Sequence, residues 1–228
     1  MHFDPLLNPD ATETLERITQ DYLRDPRALL KALDADVCSV SDAVQASRVR
    51  MDAIRADVAG TVRALEGALR AASDAMPVSR TLFRERVDEA YFGRLCRAIG
   101  QLEAEHRALR KELLDYAGVG DALRACYVSA FGVKRRVYAV KRVCREDDRA
   151  ALCLLAERLQ AARERCEALE AELCTLRERT GALCLETLTR FLEFLRVRAD
   201  LDGDGAACDA SAVRALCAEM GQALKPFL

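Results

Sequence analysis

The chain has 228 residues, of which 51% are apolar and 32% charged, with only 11 Gly, 5 Pro and no Trp. Few breakers and many charges mark long helices, and this length is enough for one large core or two small ones. The formal net charge of −2 excludes a global basic field; nucleic acid is not an expected partner, and any contact with anionic lipid must come from a local patch.

Residues 1–11 carry Pro5 and Pro9 without periodicity and read as a flexible tail. Residues 12–24 read as a short amphipathic helix with Leu15, Ile18 and Tyr22 on one face. Its acidic Glu13, Glu16 and Asp21 favour packing on the main body over insertion into an anionic membrane. Asp25 followed by Pro26 is a helix start, an N-cap side chain ahead of Pro at the first helical position. From there an apolar seam runs through Leu30, Leu33, Val37, Val40, Val44, Ser47, Met51 and Ile54. It steps four and four through Val58 to Val62, then resumes at Leu65, Leu69, Ala72 and Met76. This helix spans roughly 75 Å at about 1.5 Å per residue, and Pro77 ends it.

Ser79 is the expected cap of the second long helix, with Leu82, Phe83, Val87 and Tyr91 in its first turns. A heptad follows at Leu95, Ile99, Leu102, His106, Leu109, Leu113 and Tyr116. His106 sits in that seam and reads as a satisfied core polar group. From Val119 onward apolar residues surround the helix instead of striping it, and Gly118, Gly120 and Gly132 suggest bends. Leu123, Tyr127 and Val137 fit the seam; Val128, Phe131, Val133 and Val140 extend beyond it. A helix apolar on two faces is buried on two sides, so 119–140 is expected to form a homodimer interface, or one with a related helical partner.

Lys134, Arg135, Arg136, Lys141, Arg142 and Arg145 form the only basic cluster. The polar run 145–149 is the expected second hairpin turn; a helix continuous from 119 to 180 is the competing reading. The third helix is expected from about Asp147, with Leu152, Leu155, Leu159, Ala162, Cys166, Leu169, Leu173, Leu176 and Leu183 in its seam and Thr180 in the one polar slot. Past Gly181 the seam shifts by one to Cys184, Leu188, Phe191 and Leu195, and the helix is expected to close at Arg198. Residues 199–209 read as an acidic loop. Asp200, Asp202, Asp204 and Gly205 match half of a calcium loop, but Ser211 stands where the bidentate Glu belongs, so no tight calcium site is expected. A short helix over 210–228 completes the chain.

No Gly-rich phosphate loop, nucleophile elbow or zinc-protease motif is present, and two His leave general acid–base catalysis without a seat. The protein therefore reads as non-enzymatic, with no cofactor, no metal and no small-molecule substrate. The ten Cys form no C-x-x-C pair, no secretory signal is evident, and no apolar run approaches a membrane span. Reduced thiols in a cytoplasmic protein are expected.

The pattern as a whole, covering about 12–228, resembles a BAR domain of the sorting-nexin type. Residues 97–105 (RAIGQLEAE) resemble the opening of that family's second helix. Residues 125–136 (ACYVSAFGVKRR) are similar to its aromatic, then basic, dimer stretch. Residues 191–194 (FLEF) and 220–227 (MGQALKPF) resemble its terminal helix. The resemblance implies three long antiparallel helices over 25–198 in an elongated coiled-coil bundle, flanked by short helices. It implies a dimeric scaffold that binds or shapes membranes in endosomal or vesicular trafficking, peripheral on endosomal membranes, with the six basic residues as the membrane contact. The alternative is a coiled-coil structural subunit of a multiprotein assembly (tethering, cytoskeletal or chromosome-segregation) without lipid contact.

Overall fold

A computed structural model describes residues 9–75, 89–203 and 210–227 of the chain, and the side chains of 14–74, 93–197 and 213–227. It is all-α, with long helices packing together. Helices α1 (Pro9–Arg24), α2 (Pro26–Ala75), α3 (Glu89–Lys141), α4 (Glu146–Gly181), α5 (Thr189–Gly203) and α6 (Ala210–Leu224) follow in order. A π-helical segment, Ala182–Leu188, joins α4 to α5, and a 3-10 turn, Lys225–Phe227, follows α6. Among the described residues only Asp25 and 142–145 lie outside helices.

Both breaks have local causes. Asp25 N–H still bonds back to Asp21 O at 3.0 Å, while its carboxylate Oδ1 accepts the N–H of Ala28 at 3.1 Å. One residue thus ends α1 and caps α2. After Lys141 the chain tightens, with Arg142 N–H bonded to Ala139 O and Val143 N–H to Val140 O. It reopens into α4, whose first turn carries Glu146, Asp147 and Asp148, the sign favoured at a helix N-terminus. The turn therefore stands at 142–145, ahead of the expected 145–149, and the continuous-helix reading does not hold. Helix α3 runs uninterrupted through Gly118, Gly120 and Gly132.

The chain divides into two compact units, Met1–Arg50 with Gly118–Leu173, and Met51–Ala117 with Cys174–Leu228. In the first, Leu33, Val37 and Val40 of α2 share a core with Ala130, Val133, Val137 and Val140 of α3. Leu152, Leu155, Leu159 and Ala162 of α4 and Ile18 and Tyr22 of α1 complete it. Each fully buried Leu or Val contributes about 1.5–3 kcal/mol. Polar contacts report the helix directions. Asp36 pairs with Arg136 at 2.7 Å, and Gly118 lies against Arg50, so α2 and α3 run oppositely here. Asp34 meets Arg158 at 2.5 Å and Arg48 meets Glu172 at 3.3 Å, so α2 and α4 run together.

In the second unit Met51, Ile54, Val58, Val62, Leu65, Leu69 and Ala72 are buried, as the four-and-four step in α2 requires. Leu95, Leu102, Leu109 and Tyr116 of α3 are buried as well. Between them Glu112, not Leu113, occupies the seam, and it is only 8% exposed. Burial, with Asp57 and Asp115 nearby, pushes its carboxyl above the usual range. The one-residue seam shift past Gly181 is the π-helix: both Leu183 and Cys184 are buried in it, followed by Leu188, Phe191 and Leu195. A π turn accommodates one extra residue, so the stripe returns to the same face one position later. Helix α6 packs on the π segment and α5 through Val213, Cys217 and Met220.

Two further expectations are revised. Helix α1 begins at Pro9, inside the expected tail, and α5 continues past Arg198 to Gly203, inside the expected acidic loop. Asp200 and Asp202 are thus helical rather than part of an open loop. The first eight residues of the expected tail, and the expectations placed on Pro77, Ser79, Leu82, Phe83, Val87, Asp204 and Gly205, lie outside the described residues. The nine described cysteines are free thiols, and no helix among the described residues is long and apolar enough to cross a membrane.

Candidate interaction surface on helix α3

Apart from Ala139, the buried residues of α3 in the first unit are Val119, Leu123, Cys126, Ala130, Val133, Val137 and Val140. They alternate four and three, a single heptad seam. This corrects the expected dimer interface. Leu123, Val133, Val137 and Val140 are all within 3% of complete burial inside the chain's own core, so they offer nothing to a second copy. Tyr127, expected in the seam, is 41% exposed, because Cys126 occupies its place. The seam takes Cys126 and Ala130, small side chains that let helices approach, and turns the larger Tyr127 and Phe131 outward.

What remains is an exposed stripe. Tyr127, Val128, Phe131 and Tyr138 are 41%, 71%, 42% and 57% exposed. Phe131, Lys134, Arg135, Tyr138 and Arg142 step by three and four, so one helix face carries aromatics and cations together. The two tyrosines are each held by a cation. The Arg163 guanidinium of α4 lies 5.3 Å from the Tyr127 ring centre, and its Nη2 donates to Tyr127 Oη at 3.3 Å. Lys134 Nζ lies 5.9 Å from the Tyr138 ring centre. Such contacts contribute about 0.5–1 kcal/mol each at exposed sites and orient the rings.

Lys134 and Tyr138 form a ridge between two grooves. One, of about 650 Å³, lies between α1 and α3, with Leu15, Phe131, Tyr138, Ala139 and Val143 among its apolar walls and Lys134, Arg135 and Arg142 among its polar ones. The other, of about 380 Å³, lies between α3 and α4 and is bounded by Val137, Ala156, Leu159 and Glu164.

The six expected membrane contacts therefore separate into three groups. Lys134, Arg135 and Arg142 border the larger groove. Arg136 faces α2, where Asp36 Oδ2 holds it at 2.7 Å. Lys141 and Arg145 stand exposed at the 142–145 turn with Arg142. The Arg145 backbone N–H donates to Tyr22 Oη at 3.0 Å. Tyr138 was not among the expected interface residues; the three-four spacing from Phe131 was the signal for it.

A second polar constellation lies in the other unit. His106 Nε2 is 3.0 Å from Cys184 O in the π segment, and Thr189 Oγ1 donates to the same carbonyl at 3.2 Å. His106 is thus a bonded, half-buried polar group. Thr180 Oγ1 is buried with no partner in hydrogen-bond geometry, although it is near enough to Tyr116 to offset slightly the upward push of burial on that phenol. Neither the grooves nor this constellation brings three metal-ligating side chains together among the described residues.

No family model matches the chain, and no curated protein or solved structure matches it at a significant level.

Proposed function

We propose that the chain is a non-enzymatic helical scaffold, an antiparallel three-helix coiled coil acting as a structural subunit of a multiprotein assembly. The observation that supports this is the exposed stripe of α3. Tyr127, Val128, Phe131 and Tyr138 stand in solvent on a helix whose seam is already filled. A contiguous apolar stripe set among cations is the composition of a protein-binding surface, where aromatics anchor and charges orient. A second copy of the chain is one partner for its Tyr127–Val128 end. Light scattering at micromolar concentration tests self-association, with Val128→Glu as the variant. Assembly in the wild type that weakens in Val128→Glu supports the reading, and a wild-type monomer removes self-association from it.

A second reading is a BAR-like dimer that contacts anionic membranes in vesicle trafficking. One observation favours it: Lys141, Arg142 and Arg145 cluster with Val143, which is 37% exposed, at one helix turn. Co-sedimentation with phosphatidylserine vesicles tests it. Binding that survives reversal of all six basic residues to Glu, or no binding at all, removes the membrane reading.

A further inference from the structure

We infer that the groove between α1 and α3 is a docking site for an acidic amphipathic helix of a partner protein, an inference that rests on the scaffold reading. Three features converge on this occupant. The walls are apolar and aromatic, with Phe131 and Tyr138 two helical turns apart, about 10 Å along α3. An occupant helix with apolar residues at three-four spacing matches that interval, which is how amphipathic helices are read by grooves. Among the described residues the polar lining is unbalanced in charge: Lys134, Arg135 and Arg142 face a single carboxylate, Glu16 of α1. Arg136, the neighbouring cation that already has a carboxylate partner, points away to Asp36 and leaves this groove.

The same charge imbalance decides against the other occupants. A second copy related by two-fold symmetry would bring Lys134, Arg135 and Arg142 toward the identical three cations, since such an interface apposes the same patch on both chains. Like charges brought together out of water oppose association. A bilayer meets a protein over a broad face, whereas this surface is recessed between two helices and has the 8%-exposed Ala139 in its lining. A helix of alternating apolar and carboxylate faces satisfies both the walls and the rim.

The test uses the full chain and a fluorescein-labelled probe peptide of about five helical turns, with Leu at three-four spacing and Glu elsewhere. Its counterpart carries Lys in place of every Glu. Fluorescence anisotropy is expected to show saturable binding of the acidic peptide, no binding of the basic one, and weakening with added salt. The triple variant K134E/R135E/R142E is expected to lose affinity by about tenfold or more. Tyr138→Ala is expected to weaken binding as well, while Leu114→Glu, at a 74% exposed residue outside the groove, leaves it unchanged; circular dichroism of each variant checks that helix content is retained. The inference is overturned if the acidic peptide does not bind, if the folded triple variant binds it equally, or if the basic peptide binds as well. It is also overturned if the triple variant strengthens or abolishes self-association while peptide binding is absent, which would identify a second copy as the occupant. Loss of the groove inference with assembly intact in light scattering leaves the scaffold reading standing. If binding to phosphatidylserine vesicles is the sole interaction found, both fall.

Discussion

Tyr22 donates its phenolic hydrogen to Asp148 Oδ2 at 2.6 Å, joining the last turn of α1 to the first turn of α4. Tyr22 Oη in turn accepts the Arg145 N–H at 3.0 Å, so one fully buried side chain ties the 142–145 turn to α1. Through this bond α1 is held beside the end of α3 and forms one wall of the larger groove.

Tyr22→Phe keeps the ring and removes both bonds. A hydrogen bond to a charged partner is worth about 1.5–3 kcal/mol, and urea unfolding is expected to report a loss in that range. Hydrogen exchange in α1 is expected to accelerate before that of α2. Burial, and secondarily Asp148, raise the Tyr22 phenol above 10.0. Its contribution is therefore complete below the ordinary tyrosine value and declines as pH rises through the higher folded value. The Phe variant should not show that alkaline component.

Glu112→Gln addresses the carboxyl in the α3 seam. A folded pKa raised by burial means that folding favours the protonated acid. The residue is neutral in cost below about pH 4.5 and becomes destabilising as pH rises toward and through the folded value. Gln, uncharged throughout, is expected to raise the melting temperature at pH 7. That gain is expected to vanish on acidification toward pH 4; an equal gain at both pH values would contradict the assignment.

His106 and Thr189 share one acceptor, Cys184 O. Loss of either leaves the carbonyl satisfied, so His106→Ala and Thr189→Val are each expected to cost about 0.5–1.5 kcal/mol through this bond. Removing both strips that carbonyl of its two side-chain donors, and a double-mutant cycle is expected to show coupling between the two positions. Strict additivity in denaturant unfolding would argue that the two side chains do not act on the same group.

Phe131→Glu and Val133→Glu separate surface from core on one helix turn. Phe131 is 42% exposed and Val133 only 3%. A glutamate at 131 is expected to leave circular dichroism and unfolding nearly unchanged, within about 0.5 kcal/mol, and to weaken assembly or peptide binding. A glutamate at 133 places an unpaired charge in the core and is expected to cost several kcal/mol and melt the first unit. Equal destabilisation by the two would show that the α3 register differs from the one described.

The helical class, the α2 seam with its four-and-four step and the capping role of Asp25 were legible because each depends on period and local backbone chemistry, which a sequence carries directly. The shift past Gly181 was legible as an irregularity, though not as a π turn, since period alone does not say how a backbone absorbs one extra residue. The second hairpin turn was placed about three residues late. With no Gly or Pro to mark it, its position depends on Tyr22, more than 120 residues earlier in the chain, bonding at Arg145 and Asp148.

The α3 register was decided by tertiary structure alone. Between Val119 and Val140 apolar residues occupy nearly every helical position, so hydrophobicity permits several seams. A reading by size favours Tyr127 over Cys126, and it leaves Ala130 aside. Packing chooses the reverse, because a seam pressed between two neighbouring helices accepts the small Cys126 and Ala130 and excludes two large aromatic rings. The composition of α3 announced more apolar surface than one seam needs. Only the placement of α1, α2 and α4 around that seam divided it into a buried set, Leu123, Val133, Val137 and Val140, and the exposed Tyr127, Val128, Phe131 and Tyr138.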